Sequence, residues 1–330
     1  MQQPRFWRRP PGALAKALRP LSALWQWLGA RRMARGPWHR LPVPVICVGN
    51  INIGGTGKTP AVIALAERLK ARGVKVHVIS RGHGGSETGP LRVDPRRHDA
   101  ARVGDEPLLI AAFCDTWVAR DRHAGARAAL AAGAEAILLD DGFQNPSLAK
   151  SASIVVVDAV AGFGNGLVVP AGPLREPLET GLQRADLLLA IGPKAARRAL
   201  AARWPLPPGL PMAGAALEPL PTGQDWQGQK VLAFAGIGHP EKFFATLRAL
   251  GAEIVQAEAL SDHQPLTLGL MKRLEADAFF KGAQMVTTEK DATRLPEDYK
   301  LRVTTLPVRL QSDDWEAIDR VLEKAGLPQG

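Results

Sequence analysis

The 330-residue chain carries 46% hydrophobic residues and a net charge of +10, a length and composition that supply core for two globular domains and exclude a disordered chain. Its two cysteines, Cys47 and Cys114, have neither metal-ligand spacing nor a disulfide framework around them, which fits a reducing cytosol. The positive charge is local: no Asp or Glu precedes Glu67, whereas Arg5, Arg8, Arg9, Lys16, Arg19, Arg31, Arg32, Arg35 and Arg40 all do.

In chain order, residues 1–40 come first. Phe6, Trp7, Trp25, Trp27 and Trp38 are interleaved with the cations, and Leu14, Ala17, Leu18, Leu21, Leu24, Trp25 and Leu28 recur at helical spacing. Pro20 is expected to kink this helix or to start a second one. No apolar run reaches the roughly 20 residues needed to span a bilayer, and no cleavage site follows an apolar stretch, which argues against a transmembrane anchor and a secretory signal. An interfacial helix buries Leu and Trp among acyl chains while Arg and Lys meet anionic headgroups, so the composition favours contact with an anionic membrane surface. A helix packed on a core and a basic arm on nucleic acid are the competing readings.

Residues 43–73, VPVICVGNINIGGTGKTPAVIALAERLKARG, read as strand, glycine-rich turn and helix, the architecture of a phosphate-binding loop. Gly54, Gly55, Thr56 and Gly57 would turn the backbone N–H groups toward an anion at a helix start. Lys58 would reach the β- and γ-phosphates, and the Thr59 hydroxyl would sit on magnesium. The strict pattern opens with glycine where Asn52 stands. Ile53 occupies the place of a second lysine, which counts against a signature-lysine switch ATPase.

Further strands are expected at 73–80, at TWVAR, at 134–141, 153–159 and 185–192, with helices between them and a mainly irregular stretch at 84–104. Asp105, Glu106 and Pro107 read as a helix start with Asp105 at the N-cap. Strands alternating with helices predict an α/β fold, a P-loop NTPase-like, mostly parallel sheet flanked by helices. A Pro- and Gly-bearing stretch near 204–228 reads as a linker to a second, smaller α/β domain. The expected organisation is 1–40 membrane-surface segment, 41–225 P-loop core and 226–330 C-terminal domain closing over the active site.

The strand ending ILLDDGFQ supplies the second half of the site: Asp140 or Asp141 would hold magnesium, and Gln144 would orient phosphate or water. Transfer of a phosphoryl group to an alcohol also needs a proton acceptor, for which Asp105 and His263 are the candidates. Arg81 stands at the mouth of a flexible loop, and Arg175 and Glu176 pair a cation with an anion at a sheet edge where α/β proteins bind ligands.

The strings GNINIGGTGKTP, SRGHGG, GDEPLL, DDGFQ, FGNGLVVPAGPLREPL, AGIGHPEKFF, LSDHQPL and TTEKDA, in this order, resemble the tetraacyldisaccharide 4'-kinase family over residues 40–295 and in the basic amphipathic N-terminus. The resemblance implies transfer of the γ-phosphoryl group of ATP, with Mg2+, to the 4'-hydroxyl of an acylated glucosamine disaccharide 1-phosphate, at the cytoplasmic face of the bacterial inner membrane. By motif it implies Asp105 as catalytic base with His263 as its partner across a domain cleft. Asp140, Asp141, Gln144 and Glu176 become the metal and phosphate shell, and Arg81, Arg122 and Arg175 cationic substrate-side positions. His83 departs from the family's more common Tyr after Arg-Gly. No nucleic acid and no obligate protein partner is implied. The competing class is a P-loop regulatory or delivery ATPase, which would hydrolyse ATP without an acceptor and would not need Asp105 or His263.

Overall fold

The computed structural model describes residues 4–329. After a 3-10 turn at Arg5–Arg8 come α1 (Ala13–Ala17) and α2 (Arg19–Arg35). Pro20 lies in the first turn of α2, where its missing N–H would have had no partner anyway. It therefore starts a helix instead of kinking one.

The core follows as β1 (Val45–Gly49), α3 (Lys58–Ala71), β2 (Val76–Ser80), β3 (Leu91–Arg92), α4 (Ala100–Val103), α5 (Asp105–Ala111), β4 (Asp115–Val118), α6 (Arg122–Ala131), β5 (Ala136–Asp140), β6 (Ala152–Asp158), α7 (Leu178–Gln183), β7 (Leu187–Ile191), α8 (Lys194–Arg203) and β8 (Met212–Pro219). A smaller unit follows as β9 (Lys230–Ala235), α9 (Pro240–Ala249), β10 (Glu253–Ala259), α10 (Leu268–Phe280), β11 (Gln284–Thr288), α11 (Glu289–Ala292) and β12 (Thr304–Leu306). The chain closes with β13 (Val308–Ser312) and α12 (Trp315–Lys324).

Nine strands form one sheet in the order β13-β8-β7-β6-β1-β5-β2-β4-β3. Only the edge pairs β13·β8 and β3·β4 are antiparallel. The interior strands β1, β2, β5, β6 and β7 are buried at every residue, as expected of a parallel sheet covered on both faces. Ile46 and Val48 pack with Leu65 and Leu69 of α3 and with Ile318 and Leu322 of α12. Val45 and Cys47 face the opposite layer, with Phe143, Phe163 and the small residues of α6. Burial pushes the thiols of Cys47 and Cys114 up to about 11, so both are packing groups. Strand β1 sits between β6 and β5, so the loop after it opens into the crevice where the strand order switches.

Three features differ from the sequence reading. The stretch at 84–104 contains the edge strand β3 and the short helix α4. The supposed linker at 204–228 contains β8, whose Ala213, Gly214 and Ala215 pair with β7 in parallel. Finally, the four-stranded parallel sheet β10-β9-β11-β12 starts near the expected boundary, but residues 308–324 return to the large sheet. The smaller unit is thus inserted between β8 and β13, because β13 completes the edge of β8 and α12 buries its apolar stripe against α3.

The N-terminal arm docks through polar groups. Ser22 Oγ donates to Val168 O (2.8 Å) and accepts from Ala171 N (3.2 Å). Trp7 Nε1 donates to Pro170 O, Trp25 Nε1 to Arg175 O and Arg32 to Gln144 O. The leucines face outward: Leu14, Leu21, Leu24 and Leu28 are each more than half exposed, as are Trp25 and Trp27. A helix packed on the core by its apolar stripe is therefore ruled out.

Candidate active site

The loop between β1 and α3 is built as its sequence requires. Gly57 caps α3 with φ +92°, a conformation that favours glycine, and a Cβ there would come 2.7 Å from the tip of Ile191, which would have to move aside. Asn50 Nδ2 donates to Gly54 O (3.3 Å) and Thr56 Oγ1 (3.1 Å) and braces the turn. Asn52, which replaces the first glycine of the strict pattern, donates to Gly162 O (2.9 Å) and ties the loop to the segment after β6. Lys58 and the buried Thr59 open α3.

At the end of β5, the two acids diverge. Asp140 accepts from Ser80 Oγ (2.9 Å) through Oδ2, while its Oδ1 is buried with no hydrogen-bond partner. Burial, reinforced by the negative charge of Glu106 and Asp141, pushes its carboxyl up to about 7. Asp141, at φ +52°, receives both terminal nitrogens of Arg175 (2.8 and 3.1 Å) and faces Lys58 Nζ at 3.9 Å. Burial would raise its pKa, but Lys58 and Arg175 outweigh that and hold it near 2. An orphaned, desolvated carboxylate oxygen beside a P-loop is the donor a hard cation satisfies, so the residues fit magnesium. Gln144 donates to Asn50 O and Glu176 Oε1 (2.8 Å each), and Glu176 is also paired with Arg184. Among the described residues no three His, Cys, Asp or Glu side chains converge as a metal cluster. Glu176 accordingly lies in the network beside the acids.

Arg122 is 5% exposed and donates through one terminal nitrogen to the carbonyls of Asp140 (3.2 Å) and Asp141 (2.8 Å), while its Nε is buried with no hydrogen-bond partner. It shapes the turn that presents the acid pair. Arg81 is exposed at the carboxyl end of β2.

Asp105 and His263 meet across the two units: His263 Nδ1 lies 2.8 Å from Asp105 Oδ2. The helix cap is Gly104, one residue earlier than expected, and Asp105 is the first residue of α5, its Oδ1 accepting from Glu106 N (2.9 Å). Gly104 has φ +89°, and a Cβ would strike His83 O at 2.7 Å, so the SRGHGG turn presses directly on the backbone that presents Asp105. His83 itself faces the His263 ring edge-on at 5.6 Å, and His263 adopts φ +58°. Two of the three non-glycine residues with positive φ among those described, Asp141 and His263, are thus site residues, which is where backbone strain concentrates.

Burial works to raise the Asp105 pKa, but the hydrogen bond from His263 and the charges of Lys290 and Arg294 bring it below the ordinary carboxylate value. The same hydrogen bond raises His263. Lys290 and Arg294, from α11 and the turn after it, were not singled out from the sequence, nor was Glu106. Their signal was the charged run TTEKDATR at the carboxyl end of a strand. A second tie between the units, also unforeseen, joins buried Asp158 at the end of β6 to Lys242 of α9.

Residues 14–326 match the sequence model of the family described as tetraacyldisaccharide-1-P 4'-kinase. A tetraacyldisaccharide 4'-kinase of Jannaschia sp. (strain CCS1) is 58% identical over 324 residues, covering 98% of this chain and 99% of that one. The protein of the same name from Dinoroseobacter shibae is 61% identical over 327 residues, covering 98% and 97%. The crystal structure of the "apo" form of LpxK from Aquifex aeolicus in complex with ATP superposes with a TM-score of 0.75 at 27% identity, covering 94% of this chain and 99% of that one. Matched over nearly its whole length in sequence and in fold, the chain belongs to the tetraacyldisaccharide-1-P 4'-kinase family.

Proposed function

We propose that this chain transfers the γ-phosphoryl group of ATP to the 4'-hydroxyl of tetraacyldisaccharide 1-phosphate, forming lipid IVA in lipid A biosynthesis. The observation that carries the reading is the joining of a P-loop and a buried acid pair to a carboxylate, Asp105, that the smaller unit reaches through His263. A switch ATPase has no use for a proton acceptor gripped by a second unit. Bound magnesium would neutralise phosphate charge, and Thr59, Asp140 and Asp141 are the residues placed to hold it, with Gln144 and Glu176 in the network beside them. Lys58 and the loop amides of residues 54–57 bind and orient phosphate, and Arg175 fixes Asp141. Arg81 supplies a cation at the cleft mouth. Asp105 takes the proton of the attacking hydroxyl. Label from γ-labelled ATP should appear in the disaccharide lipid presented in mixed micelles and be absent from a Lys58→Ala blank. ATP hydrolysis by folded protein with the lipid unlabelled would turn the assignment over to the switch ATPase.

The substrate's acyl chains bring the arm into the reading. No helix among the described residues is long and apolar enough to cross a membrane, yet α1 and α2 hold four leucines about half in water, the exposed part of each worth about 1 kcal/mol when buried. With no acid before Glu67 to repel anionic headgroups, the arm is read as a peripheral or monotopic contact on the cytoplasmic face of the inner membrane. The triple exchange of Leu21, Leu24 and Leu28 for Glu should leave the circular dichroism spectrum intact and abolish cosedimentation with vesicles containing phosphatidylglycerol. Undiminished cosedimentation would remove the arm from that role.

A further inference from the structure

The face of the Asp105–His263 contact that belongs to the smaller unit is crowded with charge. Lys290 Nζ lies 3.4 Å from His263 Nε2, 3.0 Å from Glu106 Oε1, 3.9 Å from Asp105 Oδ2 and 4.0 Å from Asp262 Oδ1. Arg294 Nε stands 3.6 Å from Asp105 Oδ2, and the His83 ring flanks His263 from the core side. Burial disfavours the charge on Lys290, but Glu106, Asp105 and Asp262 more than restore it and hold the amine above the ordinary lysine range. Lys290 is therefore an ammonium.

An ammonium has three donors and no acceptor. Toward His263 Nε2 it can only donate, so Nε2 must present its lone pair. In a neutral imidazole the single proton then sits on Nδ1, the atom that faces Asp105. We propose that Lys290 is a positioning residue that holds His263 in the tautomer with its proton on Nδ1, so that the imidazole donates to Asp105 and leaves the carboxylate free to receive the substrate's proton. This rests on the reading of Asp105 as the proton acceptor.

The surroundings also define what Lys290 works against. Asp262 Oδ1 is buried, has no hydrogen-bond partner and lies 3.7 Å from His263 Nε2. Without the ammonium, that acceptor competes for the imidazole proton with Asp105, which lies nearer, at 2.8 Å from Nδ1. In the form with its proton on Nε2, the Nδ1 lone pair would oppose the Asp105 carboxylate, and the contact would survive only if Asp105 were itself protonated and unable to act as a base. The lysine thus closes Nε2 to that competition.

The test is the nitrogen spectrum of the full-length protein labelled with 15N-histidine, recorded at alkaline pH where the imidazole is neutral and Lys290 remains charged. His263→Asn identifies the residue's signals among the seven histidines. Wild type and Lys290→Arg should show a protonated Nδ1 and a bare Nε2 at position 263. Lys290→Met should populate the form with its proton on Nε2 and lower kcat by about ten- to a hundred-fold with the KM for ATP little changed. A bare Nδ1 in the wild type overturns the proposal whatever the variants do, and so does an unchanged tautomer in folded Lys290→Met. Full turnover in Asp105→Asn with the wild-type pattern intact would instead remove the base reading and leave the tautomer assignment standing.

Discussion

Asp105→Asn is expected to lower kcat by about 10²- to 10⁴-fold with ATP binding nearly unchanged, the loss typical of a removed general base. Asn matches the carboxylate in shape but cannot take a proton, so the exchange isolates chemistry from packing. Asp105 is 3% exposed and engaged by His263, Lys290 and Arg294, which is why the amide is a better probe than Ala: truncation would open a cavity and take away the oxygen that faces His263. Because these partners keep the group below the ordinary carboxylate value of 3.8, it stays ionised at any working pH, and acid loss of activity above about pH 5 must come from other groups. Single-turnover phosphoryl transfer at saturating lipid is the measurement, and near-normal turnover would take the proton acceptor's role away from Asp105.

Lys58→Met should cost about 10²- to 10³-fold in kcat, the scale of one lost charge-stabilising contact, and should weaken ATP binding as well. Lys58 heads α3 and stands 3.9 Å from Asp141, so in the proposed function it serves the phosphates and the acid pair together. Lys58 lowers the pKa of both Asp140 and Asp141; without it both carboxyls rise and the pair holds a cation less readily below neutral pH. Nucleotide titration by calorimetry together with the transfer assay separates the two effects. A variant with intact kcat would show that phosphate charge is met elsewhere.

The parts of this design that could be read from sequence are those encoded within a few consecutive residues. The glycines and Lys58-Thr59 lie on one turn, and Asp140-Asp141 end one strand, so local pattern sufficed. Asp105 and His263 were visible as polar residues in motifs, but their contact spans 158 positions and only the fold brings it about. Strand β8 was hidden because its buried positions are Ala213 and Ala215 within a Pro-rich stretch, which carries little apolar signal. The pairing of β13 with β8 skips the whole smaller unit, and no local pattern announces such a return. That Arg122 lies buried behind the acid pair, bonded to two of its carbonyls, is not announced by its sequence. Lys290 and Arg294 escaped notice because charges after a strand usually face water. The apolar stripe of the arm was legible from helical spacing, but that it faces outward shows only in the exposure of its leucines.

The insertion of the smaller unit between two adjacent strands has a mechanical consequence. Strand β12 belongs to one sheet and β13 to the other, with only Pro307 between them, while the outgoing connection runs through residues 220–229. One crossing is therefore a single ring-locked residue, and the other is anchored by buried Trp226 and by Leu220 N, which donates to Pro307 O. Such a double mounting limits how the unit can turn against the large sheet and spares it most of the orientational entropy that a body on one long tether must surrender on docking. Glu289 clasps the single-residue crossing, accepting from Val308 N and from Arg309, and its next neighbour in the chain is Lys290. His263 and Lys290 ride together on the smaller unit, so the same mounting that fixes its place against the large sheet sets both of their contacts, with Asp105 and with Glu106, at once.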